Sequence, residues 1–276
     1  MAYTPYVAAA VALPVLLAIL TGSWRNVAAA LAVAAVFGTA VLPRAVAGDQ
    51  PRATGPRLRV LTANLHLGEA DLDTLGALVR REEVDLLSVQ ELTPEADEEI
   101  SAFLPFKVTR PAPGAQGTGI YSRFPLTRLP ELEPPGDFWM TAARVGVTNA
   151  VTVDVLAVHP MAPWSPKVVK QWTYEVAHLP RATPGGGLRV LAGDFNATLD
   201  HAAMRTVLDS GYHDAASEVG DGFLPTWPHL HGALDKFPVT LDHVLVDKRI
   251  AVRRIAAFDL ARTDHRAVLA EVTLPA

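Results

Sequence analysis

The chain contains no cysteine in its 276 residues. That absence excludes disulfides, zinc–thiolate centres, iron–sulfur clusters and cysteine nucleophiles together. It says nothing about compartment, because a cysteine-free protein suits reducing and oxidising surroundings equally. Charge is scarce in one place: residues 1–48 hold only Arg25 and Arg44. With those two set aside, residues 49–276 carry 22 basic and 29 acidic side chains, a net of −7. Such a balance argues against a nonspecific nucleic-acid coat protein, which needs a basic surface to displace counterions. Internal repeats are absent too. The length allows one large domain or two smaller ones, with ample material for a buried core.

The uncharged N-terminal fifth holds two apolar runs, Tyr6–Leu20 and Val27–Leu42, of 15 and 16 residues, separated by Thr21-Gly22-Ser23-Trp24-Arg25-Asn26. Both fall slightly short of the roughly 20 residues that cross a bilayer. Flanking Tyr3, Tyr6, Thr21 and Trp24 bring them near spanning length at the interfaces. We read residues 1–43 as a transmembrane helical hairpin, which anchors the chain at the cell membrane. A cleaved secretory signal fits less well, since Met1–Pro5 lacks a basic side chain. A hydrophobic hairpin buried inside a soluble protein is the other alternative. Arg44, Arg52, Arg57 and Arg59 follow the second run and only Arg25 lies between the two, which leans the large domain to the cytoplasmic side. Residues 44–57, rich in Pro and Gly, read as a linker. The soluble domain then occupies 58–276.

Within that domain the hydrophobic pattern predicts strands at Leu58–Ala63, Val84–Val89, Gly119–Ser122, Ala142–Val147, Val151–Val158, Leu188–Ala192, Leu241–Val246, Ile250–Phe258 and Ala267–Thr273. Helices are expected over Asp71–Arg81, from Ser165-Pro166 to about Leu179, and over about His201–Ser210. Strands outnumber helices, and hairpin connections mix with crossovers. The fold class is therefore α/β, a mixed sandwich and not a doubly wound parallel sheet.

Polar residues mark the ends of the apolar strands. Asn64, Glu91, His159, Asp194 with Asn196, Asp242, and Asp264 with His265 sit at six such ends. Strand ends converge along an edge of a packed sheet, so these groups can share one cleft across about 200 residues of sequence. The inventory suits phosphate-ester hydrolysis. Carboxylate oxygens favour Mg²⁺ or Mn²⁺ over zinc. A carboxylate can orient or deprotonate water, and a His beside an Asp can polarise a phosphoryl oxygen. Neutral Asn side chains can hold phosphate oxygens without cancelling the metal's charge.

Seven segments occur in the order and context of the endonuclease/exonuclease/phosphatase superfamily: LTANLHLG around Asn64, SVQELTPE around Glu91, GTGIYSRFPL at 117–126, AVHP at 157–160, LAGDFNATLD at 191–200, LDHVLVD at 241–247 and TDHRAV at 263–268. The chain resembles that superfamily over roughly 58–274. The resemblance implies a four-layer α/β sandwich, two packed mixed β-sheets flanked by helices, with metal-dependent phosphoesterase chemistry. By the same resemblance Glu91 is the principal Mg²⁺ (or Mn²⁺) ligand, with Asn64 and Asp264 as further metal-site residues. His159 and Asn196 would hold phosphate oxygens, and Asp194 would position or deprotonate the attacking water. His265 would donate to the phosphate, its charge and tautomer set by Asp242. The implied reaction is in-line attack of water with no covalent intermediate.

Other residues carry weaker readings. His66 is expected in a loop or behind the site, His243 in packing, Tyr121 in the core, and His229 and His231 in a solvated turn. Trp227 is divided evenly between substrate contact and packing. Met161–Trp164 are expected to shape the cleft rim. Arg123 is a candidate for reaching a phosphate, and Arg144 for lying buried beside the site.

The superfamily core does not decide the substrate. The acidic domain and the membrane hairpin lean toward a lipid or small phosphoester, with DNA or RNA cleavage as the alternative. A catalytically inactive membrane-tethered binding module is a third reading, disfavoured because all eight site residues are present. The chain is expected to act as a monomer.

Overall fold

The computed structural model describes residues 2–229 and 237–276. Its N-terminal part consists of helices α1 (Thr4–Ala10), α2 (Ala12–Leu20) and α3 (Trp24–Val41). The α1–α2 arm turns at Thr21–Ser23 and packs back along α3. The sequence suggested two spans of equal standing, but among the described residues only Trp24–Ala45 is long and apolar enough to cross a membrane, with mean hydropathy 1.9; Thr4–Leu20 is shorter. The base of the pair rests on the large domain: the Tyr6 hydroxyl donates to the Pro238 carbonyl at 2.7 Å. Beyond α3, Arg44 Nη2 pairs with the buried Asp200 carboxylate at 2.7 Å. The stretch read as a linker lies against the domain, where Gln50 Oε1 accepts from Val252 N at 2.8 Å and Gly55 N donates to Leu274 O.

Arg44→Ala would leave the Asp200 carboxylate buried without its cation. We expect that variant to lose about 3 kcal/mol of stability. Arg44→Met combined with Asp200→Leu should recover most of it, read as the urea unfolding midpoint of each protein.

The large domain opens with β1 (Arg57–Asn64), α4 (Leu72–Arg81), β2 (Leu86–Gln90), α5 (Pro94–Ile100), β3 (Phe106–Arg110), β4 (Thr118–Ser122), β5 (Leu126–Arg128), β6 (Ala142–Gly146) and β7 (Thr152–Val158). It continues through α6 (Pro166–Ala177), β8 (Leu188–Asp194), α7 (Ala202–Asp209), β9 (Tyr212–Asp214), α8 (Ala215–Glu218), β10 (Asp242–Asp247), β11 (Ala251–Asp259) and β12 (Arg266–Thr273). Two six-stranded sheets result, in the orders β11-β12-β1-β2-β4-β3 and β5-β6-β7-β8-β10-β9. Each contains one parallel pair, β1–β2 or β7–β8, among antiparallel neighbours. One core fills the space between the sheets. A second joins the first sheet to α4 and α5, and a third joins the other sheet to α6 and α7. The four-layer α/β sandwich is thus observed. Asp71 caps α4 by accepting from Thr74 N, and Ser165 caps α6 by accepting from Val168 N, as the N-cap signatures predicted.

Alternation along the strands positions the site. Leu58 and Val60 of β1 face the inter-sheet core, while Leu61 and Ala63 face the helices. With a period of two, Asn64 falls on the inter-sheet side. The same count carries Val155 and Ala157 to His159, Val190 and Ala192 to Asp194, and Val246 and Val244 back to Asp242. The two sheets therefore deliver their terminal polar groups into the same gap. Gly193 permits that convergence, since a Cβ there would sit 2.0 Å from the Val158 carbonyl oxygen.

Candidate active site

The polar groups meet in a pocket of about 590 Å³. Asn64 is buried at the end of β1, and its amide nitrogen donates to Glu91 Oε1 and Asp194 Oδ2, both at 3.1 Å. Its oxygen accepts from His66 N at 2.9 Å, so Asn64 braces the two carboxylates from between them. Glu91 follows β2 with φ +56° and takes a second hydrogen bond from Leu67 N at 2.7 Å. A left-handed φ on a non-glycine residue costs on the order of 1–3 kcal/mol and persists where the surroundings over-determine it. Asn196 has the same character at φ +48°; its backbone N–H donates to Asp194 Oδ1 at 2.8 Å and its amide to Pro160 O at 3.0 Å.

His159 Nε2 lies 3.9 Å from both Glu91 Oε1 and Asp194 Oδ2, with Phe138 stacked at a tilt 5.0 Å away. Burial pushes this imidazole down to about 4, overriding the nearby Glu91 carboxylate, so it is neutral at pH 7. Opposite it, Asp242 pairs in register with Asp194 across β10 and β8. His265 Nδ1 sits 2.9 Å from Asp242 Oδ2, and Nε2 sits 3.7 Å from Asp194 Oδ2. Burial lowers the pKa of His265, but Asp242 and Asp194 outweigh it and raise the ring to about 10. One histidine is thus held neutral and the other cationic.

Burial also pushes Asp194 up to about 7, with Asp242 and Glu91 adding to the rise and His265 opposing it. Asp264 stands at the pocket mouth, held by His66 Nδ1 and by the Trp227 indole N–H, each at 2.9 Å. His66 therefore belongs to the site's support, as expected of a residue behind it. Trp227 does more than pack, because it fixes a carboxylate. Met161–Trp164 line the rim.

Two expectations fail. Arg144 is exposed on β6, paired with Asp154 at 2.7 Å, because its odd-numbered neighbours are the ones turned inward. Arg123 pairs with Asp85 at the far end of β4, whose opposite end at Thr118 adjoins Gln90 and the site. His243 is buried as expected, but as half of an ion pair with Asp214 at 3.0 Å; its other nitrogen bonds the Ala197 carbonyl behind Asn196. Tyr121 is in the core, with its hydroxyl on Asp97. His229 donates its backbone N–H to the Asp264 carbonyl, and His231 lies outside the described residues.

Sequence reasoning missed Glu175. It is buried on α6, accepts from Met161 N at 2.8 Å and Asp137 N at 3.2 Å, and so ties two rim segments to the helix. Its only signal was a Glu on the apolar face of a predicted helix. Thr62, Gln90 and Ser88 were missed too; they form a buried hydrogen-bonded chain to the Ala192 carbonyl, stitching the sheets beneath the site.

Glu91, Asp194 and Asp264 all face the pocket, and no Lys or Arg is among the described residues lining it. The buried Asp242 Oδ1 has no hydrogen-bond partner. A hard divalent cation fits that oxygen-rich set of carboxylates. The residues Asp194, Asp242 and His265 also place one ligand atom each within 4.8 Å of one another.

Such a fold with such a cluster defines a metal-dependent hydrolase of phosphoester bonds. Over residues 61–265 the sequence matches the Endonuclease/Exonuclease/phosphatase family, and the chain belongs to it. No curated protein matches the sequence. Among solved structures, an AP endonuclease from Archaeoglobus fulgidus is similar with TM-score 0.63 and 15% identity, covering 77% of this chain and 98% of that one. A 3′ phosphatase from Neisseria bound to product DNA hairpin is similar with TM-score 0.60 and 23% identity, over 77% and 98% of the two chains. An endonuclease/exonuclease/phosphatase from Beutenbergia cavernae gives 0.59 and 18%, over 79% and 72%. At these identities the likeness speaks for the fold.

Proposed function

We propose that the chain hydrolyses a phosphodiester or phosphomonoester by in-line attack of water, with Mg²⁺ or Mn²⁺ held by Glu91 and with Asn64 and Asp264 beside it. When bound, the cation supplies positive charge to the phosphoryl oxygens. The rest is the work of the chain's own side chains. Asp194 is held by the Asn64 amide and the Asn196 backbone, with a proton affinity near neutrality, and so is placed to orient water and take its proton. His159, neutral, donates from Nε2 to a phosphate oxygen without adding a competing charge. Asn196 holds a second oxygen. His265, cationic against Asp242, stabilises the charge that builds on the phosphoryl group.

The observation that carries this reading is the convergence of both histidines on one carboxylate: His159 and His265 bring Nε2 to 3.9 and 3.7 Å of Asp194 Oδ2, with Asp242 backing His265 at 2.9 Å. The residues supply a donor, a cation and a proton acceptor around one point, which an inert binding module has no need to hold apart.

For the substrate, the walls favour a lipid or small phosphoester over a nucleic acid. Phe138, Met161, Trp164, Trp227 and Leu241 line the pocket, and no Lys or Arg among the described residues is there to track a phosphate backbone. Anchoring through α3 at the cell membrane would keep the site near lipid head groups. The domain's Arg distribution leans it to the cytoplasmic side.

The test is hydrolysis of bis(p-nitrophenyl) phosphate by the full chain. Activity should require Mg²⁺ or Mn²⁺, vanish with EDTA and return on adding the metal back. Metal-independent turnover, or none with either ion across nucleic-acid, inositol-phosphate and phospholipid substrates, would sink the reading.

A further inference from the structure

The catalytic pocket has neighbouring cavities along α1. It shares Ala2 and Val239 with a second cavity of about 290 Å³, which also borders Tyr6 and the Arg44–Asp200 pair. That cavity in turn shares Pro5, Ala9 and Phe223 with a third, of about 420 Å³. The third lies between α1 and the end of α3, where Ala34, Phe37, Val41 and Leu42 form its far wall. Its described lining includes no side chain with a hydrogen-bonding group. The first two cavities are lined by polar and charged side chains, and the third is a purely apolar cleft on the membrane-length helix.

The geometry of this passage is pinned. The Tyr6 hydroxyl is bonded to Pro238 O, and the Tyr6 ring stands edge-on to Phe237 with centroids 5.4 Å apart at 86°. Arg44, the one Lys or Arg among the described residues lining the passage, is already paired with Asp200.

We propose that the three cavities form a single track for an amphiphilic phosphoester. The phosphate sits at the Glu91–Asp194–His159 site, and one hydrocarbon chain lies along α1 into the α1–α3 cleft. The inference rests on the phosphoesterase reading and adds where the substrate's tail goes. A peptide is the wrong occupant, because its backbone donors and acceptors would meet no partners in the outer cleft. A nucleic acid would find no Lys or Arg among the described residues lining the pocket and no hydrogen-bonding side chain among those lining the outer cleft. A hydrocarbon chain needs neither, and continuity with α3 gives it a direct path from a bilayer. The seven residues of α1 span about 10 Å, which an octyl chain matches.

The experiment uses the full chain in phospholipid nanodiscs with Mg²⁺, and two chromogenic diesters, methyl p-nitrophenyl phosphate and octyl p-nitrophenyl phosphate. Wild type should prefer the octyl ester by about tenfold or more in kcat/KM, through KM. Ala9→Trp fills the point where the two outer cavities join and should bring the octyl-to-methyl ratio close to one. Ala34→Trp, which obstructs the same track from α3, should do likewise, with circular dichroism melts reporting that each variant is folded. No chain-length preference in wild type overturns the proposal. So does a preference that persists in both variants, since partition into the bilayer alone would leave it unchanged. If wild type turns over neither ester, the phosphoesterase reading has failed, and the track is tested by binding. Octyl phosphate should then bind wild type about tenfold or more tightly than methyl phosphate in calorimetric titration and lose that margin in Ala9→Trp; no margin in wild type, or one that persists in the variant, overturns the track as well.

Discussion

Asp194→Asn is expected to lower kcat by about 10³-fold, roughly 4 kcal/mol of transition-state stabilisation, while leaving the fold intact. The substitution keeps the size of the side chain. Its Oδ1 still accepts from the Asn196 backbone, while its Nδ2 replaces the oxygen that accepted from the Asn64 amide, so that one bond is lost. What it removes is the proton acceptor between a neutral His159 and a cationic His265. KM should change little, because the phosphate is held by other groups. The same variant should be more stable in EDTA at neutral pH. A carboxyl raised from its ordinary range to about 7 is better accommodated protonated in the folded chain. Its ionisation therefore costs stability progressively as pH rises from the usual carboxylate value through about 7, and the amide escapes that cost. Wild type and variant should melt together near pH 4 and separate by several degrees near pH 8. A variant with more than a tenth of wild-type kcat would remove Asp194 from the chemistry.

Asp242→Asn is expected to cost about 10³-fold in kcat through a different route. Asp242 lies behind His265, bonded to Nδ1 at 2.9 Å, and touches no part of the pocket where substrate would sit. Its effect is to hold the ring cationic with Nε2–H aimed toward Asp194 Oδ2. An amide in its place supplies no charge, so burial, the largest influence on the ring, is opposed only by Asp194 and Asp264 and the imidazole moves toward neutrality. Titration of the His265 ring by NMR should show its pKa falling from about 10 into or below the ordinary histidine range. Asp242→Glu should restore part of the rate if charge is what matters. A normal His265 titration in the Asn variant with unchanged kcat would show that the pair is only structural.

Most of the site was legible because each group ends an apolar strand with strict alternation. Strand period alone puts Asn64, His159, Asp194 and Asp242 on the same face as Val60, Ala157, Ala192 and Val244. The capped helices α4 and α6 were equally plain. What escaped was short or half-exposed: β3 and β5 carry mostly exposed or partly buried side chains, and α8 is a four-residue turn, so none of them shows a clean apolar period. Arg144 and Arg123 were misplaced for a related reason. Their strands were read well enough, but a guanidinium's reach tells nothing about which face or which end it leaves from. Glu175 escaped because a charged residue inside a predicted helix is normally solvated, and only the docking of the 137 and 161 segments gives it buried donors.

The layers, the family and the polar residues that end the apolar strands were readable from the chain alone. Local periodicity and the order of seven short segments are properties of the chain alone. Only the tertiary structure decided the charge states, because His159 and His265 look alike in sequence and differ through burial and through which carboxylate stands behind them. It also decided that the uncharged N-terminal fifth does more than precede the domain. Absence of charge marked it as apolar, but its contact with Pro238, Asp200 and the pocket wall arises from packing between residues some 150 to 230 positions apart. Hydrophobicity acts without direction, so a run of Ala, Val and Leu states that it must be covered and leaves to the fold what covers it.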